Sequence, residues 1–267
     1  MNNTIKSTVL LTLTAMIWGL AFVAQRSSMD YIGPFFFNGV RSLLGALTLI
    51  LFLYFSGLRT RAAKGHKGTV PLRDPGSAAG VPVKPAFLTE ETKTLLKGGG
   101  ACGAILFAGS SFQQVGLVFT TASKAGFITA LYIVLVPILG IFLKHKTHWN
   151  TWAGVLLAAF GLYCLCLTEN LDIALGDLIV FSGAGFWALH ILVIDHFVTR
   201  VGAVRLSCVQ FLVCGILSLI VSVAAVSSFG GPLTPEIVLA ARPAILDTGS
   251  LSSGGGFSLQ AVGPKYA

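Results

Sequence analysis

The sequence predicts an all-α fold, a polytopic membrane bundle of about eight helices. Hydrophobic residues make up 54% of its 267 positions and charged residues only 10%, whereas a soluble domain carries roughly 25% charged residues. Apolar runs of about 20 residues, the length that crosses the hydrocarbon core of a bilayer, recur along the chain. The second half of the chain also repeats the spacing of the first. The composition excludes a water-soluble globular protein. The apolar runs predict the number of membrane helices, and the repeated spacing predicts how they are arranged.

Seven apolar runs predict membrane helices in order along the chain. They cover residues 7–24, 35–55, 98–119, 125–143, 149–167, 176–194 and 206–226. The first run follows Lys6 as a secretory leader would, but it lacks a clean cleavage site and further spans follow, so we predict a membrane helix. An eighth run, 244–262, contains Asp247 and a glycine triplet at 254–256. This run fits either a helix or a loop.

Three residue types inside the runs have a specific structural meaning. Pro137 predicts a kink in the fourth helix, because its ring removes a backbone donor. Gly99 and Gly103 form a GxxxG pair, which is typical of close helix packing. The five cysteines lie inside apolar runs without a CxxC pair, which indicates small core residues rather than metal ligands or disulfides.

A polar segment at residues 56–97 separates the second and third runs. It is rich in Gly, Pro and Ser and holds eight basic residues: Arg59, Arg61, Lys64, Lys67, Arg73, Lys84, Lys93 and Lys97. Such a composition buries too little apolar surface to fold alone, so we predict a solvated, mobile loop. The loop would anchor the topology, and contact with anionic lipids is the alternative.

The basic residues also predict the orientation of the chain. If the spans alternate and the amino terminus is cytoplasmic, 14 Lys and Arg residues lie on the cytoplasmic side and three on the opposite side. Cytoplasmic loops of membrane proteins carry this excess. The net charge of +8 is therefore interpreted as an orientation signal. No nucleic-acid-binding pattern accompanies it.

An internal repeat is visible when the chain is compared with itself. An offset of 169 residues places Trp18 on Trp187 and Gly33 on Gly202 without a gap. An offset of 147 places residues 109–116 on 256–263 with five identities in eight. Because five predicted helices precede the second copy, that copy enters the membrane from the opposite side. This is the inverted repeat found in many secondary transporters.

Five segments resemble a known family. They are AMIWGLAF at 15–22, PFFFNGVR at 34–41, QQVGL at 113–117, ASKAGFI at 122–128 with Pro137 beyond it, and LQAVG at 259–263. Through them the chain resembles the EamA-type members of the drug/metabolite transporter superfamily. The resemblance implies ten helices in two inverted five-helix halves that move small solutes across a membrane, often outward.

The sequence departs from that ten-helix pattern in its second half. Residues 121–168 supply the fourth and fifth helices, and no counterpart to them follows the third helix of the second copy. We therefore expect an EamA-type chain truncated at its carboxyl end. Residues 1–168 would form the first repeat, and residues 169–267 an incomplete second repeat of three helices.

Arg41 is the strongest candidate for a functional residue. It is formally charged and lies well inside an apolar run, and burying a guanidinium in lipid costs roughly 3 kcal/mol. Arg41 shares a polar stripe with Asn38 on the second helix, and the equivalent stripe of the second copy carries Gln210. We interpret Arg41 as a substrate or anion contact. A structural ion pair or carbonyl clamp near the outer end of the helix is the alternative.

Other polar and aromatic residues recur at similar depth. The equivalent Trp18 and Trp187 could line a cavity for an aromatic or apolar solute, or pack helices and anchor them at the interface. His190 could relay protons, or be a hydrogen-bonded core residue. Gln113 and Gln114 could orient a solute, or join helices. The predicted substrate-binding residues are therefore Trp18, Asn38, Arg41, Gln113, Gln114, Trp187, His190 and Gln210.

The sequence favours a transporter over an enzyme. It holds no HExxH, no GxSxG, no phosphate loop and no pair of intramembrane carboxylates, so we predict no enzymatic activity, cofactor or metal. We expect an exporter of small metabolites or drugs that works by alternating access in the bacterial plasma (inner) membrane. Its partners would be a small-molecule solute and membrane lipids, not nucleic acid, with a homo-oligomer as one way to complete the cavity.

Two other interpretations stay open at this point. The chain could be a truncated remnant that does not transport, or a subunit of a membrane complex. It could also be a lipid-responsive module that acts through its basic loop.

Overall fold

The computed structural model describes residues 3–65, 89–142, 149–166, 174–225 and 235–256. In these ranges the chain is helical and contains no strand. The helices are α1 (Asn3–Ser28), α2 (Pro34–Gly65), α3 (Glu90–Val118), α4 (Ala122–Ala130), α5 (Tyr132–Phe142), α6 (Trp149–Cys166), α7 (Leu175–Val201), α8 (Ala203–Ala224) and α9 (Pro235–Leu246), followed directly by a π-helix (Asp247–Gly256).

Five helical stretches in these ranges are long and apolar enough to cross a membrane. They are Pro34–Phe55, Glu90–Val118, Ala122–Phe142, Leu175–Val201 and Ala203–Ala224. Helices α1 and α6 cover the first and fifth predicted runs. The prediction of an all-α polytopic membrane bundle is confirmed.

The helices on either side of the polar segment at 56–97 extend into it. Helix α2 continues to Gly65, and α3 already begins at Glu90. Thr89 caps α3 by accepting a hydrogen bond from the Thr92 N–H at 3.3 Å. Two glutamates in the first turn of α3 complement the helix dipole. Polar helix ends of this kind extend beyond the apolar run, which is why hydropathy alone misplaced both boundaries. Residues 66–88 lie outside the described ranges.

The eighth apolar run is helical as far as the structure describes it. The helix begins at Pro235, nine residues before the predicted start, and residues 257–262 lie outside the described ranges. The hydroxyls of Thr248 and Ser253 donate to the carbonyls of Ala244 and Thr248, at 2.6 and 2.8 Å. These polar side chains are thus satisfied inside the helix itself, which reconciles them with a helical conformation.

The fourth predicted span is interrupted at Leu131, and not at Pro137 where the sequence predicts a kink. Helix α4 ends at Ala130 and α5 begins at Tyr132, whereas Pro137 lies within α5. The Leu131 N–H bonds to the Ile128 carbonyl at 3.2 Å, which is a tighter turn than the α-helix. The break therefore lies about one and a half turns before the proline.

Helix α3 occupies the centre of the bundle, against α7 and α8, while α2 packs on α8. Glycines allow the close approach. A Cβ added at Gly99 would lie 2.4 Å from Val209 Cγ1, and one at Gly103 would lie 2.6 Å from Val213 Cβ. The GxxxG pair is thus a contact between α3 and α8. Similarly, Gly176 on α7 lies against the main chain at the end of α3.

The outer surface of the bundle is apolar and parts of its interior are polar. Exposed apolar side chains follow helical spacing along α1 (Val9, Leu13, Met16, Leu20, Val23) and α8 (Leu212, Ile216, Ile220, Val223). Buried polar side chains include Asn38, Ser110, Gln114 and Gln210, each with no exposed surface. This distribution fits a protein whose exterior is covered by lipid and whose core carries the polar chemistry.

Candidate functional site

A buried hydrogen-bond network surrounds Arg41 on α2. Its Nε donates to Asn38 Oδ1 at 3.1 Å, and its Nη1 donates to Gln25 Oε1 on α1 at 3.3 Å. Gln114 Nε2 on α3 donates to the same Gln25 oxygen. We call Gln25, Asn38, Arg41 and Gln114 the Arg41 cluster. It joins three helices around one positive charge.

Asn38 holds the Arg41 cluster against the rest of the bundle. Its Nδ2 donates to Ser110 Oγ on α3 at 2.9 Å and to Ser218 Oγ on α8 at 2.8 Å, while Cys214 Sγ lies 3.8 Å away. Its Oδ1 accepts from Arg41. All hydrogen-bonding groups of this amide are thus used, so Asn38 fixes the position of the guanidinium.

The charge of Arg41 is not paired with a carboxylate in the described ranges. The ion pairs there join Arg26 to Asp30, Lys93 to Glu90, Lys124 to Asp177 and Arg205 to Glu91. Arg41 is only 9% exposed. Its contacts are amide oxygens and the ring of Phe37, whose centroid lies 5.9 Å from Cζ. Among the described residues the ion-pair alternative therefore finds no support, whereas the carbonyl contacts do occur.

A second polar group lies on the other side of α3. Trp187 Nε1 on α7 donates to Gln113 Oε1 at 2.9 Å. His190 Nε2 and Gln210 Oε1 on α8 are 3.0 Å apart. The Trp187 and His190 rings meet edge to face, with centroids 5.8 Å apart. We call Gln113, Trp187, His190 and Gln210 the His190 cluster.

Gln113 and Gln114 are adjacent on α3 but belong to different clusters. Consecutive residues on an α-helix point about 100° apart, as 3.6 residues per turn requires. Gln113 therefore meets Trp187 on α7, and Gln114 meets Gln25 on α1. Both glutamines make the helix-to-helix bonds that the sequence left open as an alternative to solute contact.

Each cluster retains one buried polar atom without a protein partner. These atoms are Gln114 Oε1 and Gln210 Nε2, on side chains with no exposed surface. Buried polar groups in native proteins are almost always hydrogen-bonded. The interior thus contains an acceptor, Gln114 Oε1, and a donor, Gln210 Nε2, that have no hydrogen-bond partner in the protein.

Trp18 lies apart from both clusters. Its Nε1 donates to the Ser252 carbonyl of the π-helix at 3.4 Å, and a Cβ added at Gly256 would lie 2.6 Å from the same nitrogen. Trp187 instead donates its indole N–H to the Gln113 side chain on α3, and a Cβ added at Gly109 would lie 3.6 Å from the Trp187 main-chain nitrogen. Each tryptophan thus has its indole N–H bonded to another helix, Trp18 to a main-chain carbonyl and Trp187 to a side chain.

Four residues outside the predicted substrate-binding set complete the network. Gln25, Ser110, Cys214 and Ser218 contact the Arg41 cluster or belong to it. Each is a polar residue or a cysteine within or beside an apolar run, and this is the sequence feature by which it could have been recognised. A single small polar residue in such a run can equally bond to its own helix, as Ser182 does with the Leu178 carbonyl at 3.0 Å. Only the packing distinguishes the two cases.

A separate polar contact lies where α7 begins. Asp177 Oδ2 accepts a hydrogen bond from the Ala174 N–H at 2.9 Å and Oδ1 accepts one from Thr120 Oγ1. Lys124 Nζ lies 3.9 Å from Oδ2. This carboxylate caps α7 and ties it to the turn between α3 and α4.

Two comparisons with known proteins agree with this architecture. Residues 6–72 match the model of the EamA-like transporter family. A protein named "Uncharacterized transporter" from Archaeoglobus fulgidus is 31% identical over 188 residues, which is 70% of this chain and 48% of that protein. The chain thus spans about half the length of the curated relative that it matches. The family match covers most of α1 and all of α2, including Trp18, Asn38 and Arg41. The protein is an integral, multi-pass membrane protein, and its amino-terminal helices are similar to the EamA-like transporter family of the drug/metabolite transporter superfamily.

Proposed function

We propose that this chain carries small metabolites or drugs across the membrane by alternating access, in the outward direction. The observation that carries the proposal is the position of the two clusters. Both lie buried among α1, α2, α3, α7 and α8, inside a bundle whose exterior is apolar. Polar side chains buried in a membrane bundle are costly and mark solute pathways.

The helix contacts support a division into two inverted repeats, 1–168 and 169–267. In that division α1, α2 and α3 correspond to α7, α8 and the α9–π-helix segment. If each helix is replaced by its counterpart, the contact between α3 and α7 becomes a contact between the π-helix and α1. In the same way, the contact between α3 and α8 becomes a contact between the π-helix and α2. All four contacts occur. Helices α2 and α8 are counterparts of each other, so their contact is unchanged by the exchange. The symmetry axis would therefore pass between these two helices.

The proposed solute path runs between these repeats. Arg41, Asn38 and Gln114 would contact the solute from one side of α3, and Gln113, Trp187, His190 and Gln210 from the other. Trp18 would line the path near the π-helix, where its partially buried ring lies. In this arrangement rocking of one repeat against the other would expose the clusters to one side of the membrane at a time.

Transport by reconstituted protein tests the proposal. The purified chain in proteoliposomes should accumulate at least one labelled solute from a panel of amino acids, nucleosides and cationic drugs. Trp187→Phe should slow that transport about tenfold, because Gln113 loses its buried partner. Trp149→Phe is the matched control, since Trp149 is 77% exposed, and it should leave the rate unchanged.

An inactive protein would contradict the proposal. Absence of transport for every solute, with the chain inserted and folded, would favour a subunit that needs another chain. Equal rates for Trp187→Phe and the wild type would remove the His190 cluster from the path.

A further inference from the structure

We infer that two ion pairs act as latches that hold the two ends of the bundle closed in turn. Glu91 with Arg205 forms the inner latch, at the cytoplasmic end, and Lys124 with Asp177 forms the outer latch, at the opposite end. The inference rests on the proposed function, because it assigns the contacts that separate when one repeat rocks against the other.

Both latches cross the division between the proposed repeats. Arg205 Nη1 on α8 lies 2.6 Å from Glu91 Oε1 on α3, and Lys124 Nζ on α4 lies 3.9 Å from Asp177 Oδ2 on α7. Helices α3 and α4 belong to the first repeat, and α7 and α8 belong to the second. The other ion pairs among the described residues join positions three or four apart, so they stay intact when the repeats move.

The latches lie at opposite ends of the central helix. Glu91 is in the first turn of α3, whereas Asp177 accepts a hydrogen bond from Thr120, just beyond the last turn of α3. At 1.5 Å per residue, the length of α3 separates the two latches by about 40 Å. When two rigid halves rock, contacts separate at one end only while the other end is closed. Each latch can therefore hold its own end shut while the opposite end opens.

The outer latch is the better protected from water. The side chains of Lys124 and Asp177 are 19% and 11% exposed, and Asp177 also bonds to Thr120 of the first repeat. Arg205 and Glu91 are 59% and 60% exposed, and water and salt weaken an exposed ion pair. The inner latch is shorter but should be easier to separate. The empty carrier therefore opens toward the cytoplasm more readily, which suits a protein that takes up its solute there.

Hydrogen–deuterium exchange of the purified protein in lipid nanodiscs tests the inference without any solute. Arg205→Gln should raise the exchange rate about threefold at the cytoplasmic end, because it removes the inner latch. It should lower the rate about 1.5-fold at the outer end, because molecules open to one side cannot open to the other. Lys124→Met should produce the opposite pattern. The segments that report on the two ends are 91–98 with 197–206 and 116–124 with 174–180.

Salt tests the difference between the latches. Raising the salt concentration to about 1 M shortens the screening length to about 3 Å, which should weaken the exposed inner latch and spare the outer one. The wild type in high salt should therefore show the exchange pattern of Arg205→Gln. The Arg205→Gln protein itself should respond little, since its inner latch is already absent.

Local ion pairs supply the matched controls. Lys93→Met breaks an exposed pair with a neighbouring glutamate in the first turn of α3, and Arg26→Gln breaks a pair with Asp30 at the end of α1. Neither variant should change exchange at the opposite end of the bundle. The double variant Glu91→Arg with Arg205→Glu restores opposite charges and should return exchange to the wild-type pattern.

Two results would overturn the inference. They are exchange that changes only at the substituted end, as a merely structural ion pair would produce, and equal patterns for Arg205→Gln and Lys93→Met. If the chain still transports a solute in those cases, the proposed carrier function stands. Conversely, opposite changes at the two ends in a chain that transports no solute would support the latches while contradicting the carrier.

Discussion

At the scale of single residues, Asn38 shows how a membrane interior is organised. It is fully buried, donates to Ser110 and Ser218, and accepts from Arg41. One short side chain thus joins α2 to α3 and α8. Lipid offers no hydrogen-bonding groups that compete for these side chains, as water would. Each of these hydrogen bonds therefore helps to fix the relative position of two helices.

Replacing Asn38 should therefore destabilise the bundle. Asn38→Ala removes three side-chain partners at once and leaves Arg41 Nε without an acceptor. We expect a loss of about 2 kcal/mol in the free energy of unfolding, measured by denaturant titration in detergent micelles. Ser182→Ala is the control, because the exposed Ser182 bonds to its own helix, and it should change stability by less than about 0.5 kcal/mol. Equal losses in both variants would refute the role given to Asn38.

At the scale of helices, the bundle is assembled through small residues at crossing points. Gly99 and Gly103 on α3 admit Val209 and Val213 of α8, and Gly39 on α2 admits Leu219 of α8. Lipid chains are as apolar as the side chains, so close van der Waals packing has to replace the hydrophobic effect between helices. The glycine positions therefore decide which helix faces can meet.

A single side chain at such a crossing should separate the helices. Gly99→Val places its Cβ 2.4 Å from Val209 Cγ1, so α3 and α8 must shift apart. We expect a loss of about 1–3 kcal/mol in unfolding free energy. Gly100→Val makes the same chemical change one residue away, where nothing lies within 4 Å. This control should be near neutral. A Gly99→Val protein as stable as the control would show that α3 and α8 do not pack here.

At the scale of the whole molecule, the charge distribution and the helix order predict the topology. The amino terminus and the basic segment 66–88 should be cytoplasmic, and the acidic segment 167–173 should lie on the opposite side. Reporter fusions active on one side of the membrane, placed at residues 2, 75 and 170, measure this directly. The first two should report the cytoplasm and the third the outer side. The reverse pattern would contradict the orientation.

The sequence was sufficient for the elements and for part of the site. Hydropathy located the spans, because about 20 apolar residues in a row have few other stable environments. The same principle marked Arg41, since a charge in such a run is costly. The start of α3 was missed because its polar end is stabilised by the Thr89 cap and by an ion pair from Lys93 Nζ to Glu90 Oε1 at 2.7 Å.

The sequence by itself determined which residues are apolar, which are polar and which repeat along the chain. Only the tertiary structure decided what each residue meets. Gln113 and Gln114 are identical neighbours, yet they serve different clusters because α3 turns them toward different helices. Gly19 and Ala188 are 169 residues apart and equivalent in the proposed repeat, yet nothing lies within 4 Å of a Cβ at Gly19, while Ala188 is fully buried. The physical reason is that burial depends on which helices reach a face, and helices distant in sequence supply those contacts.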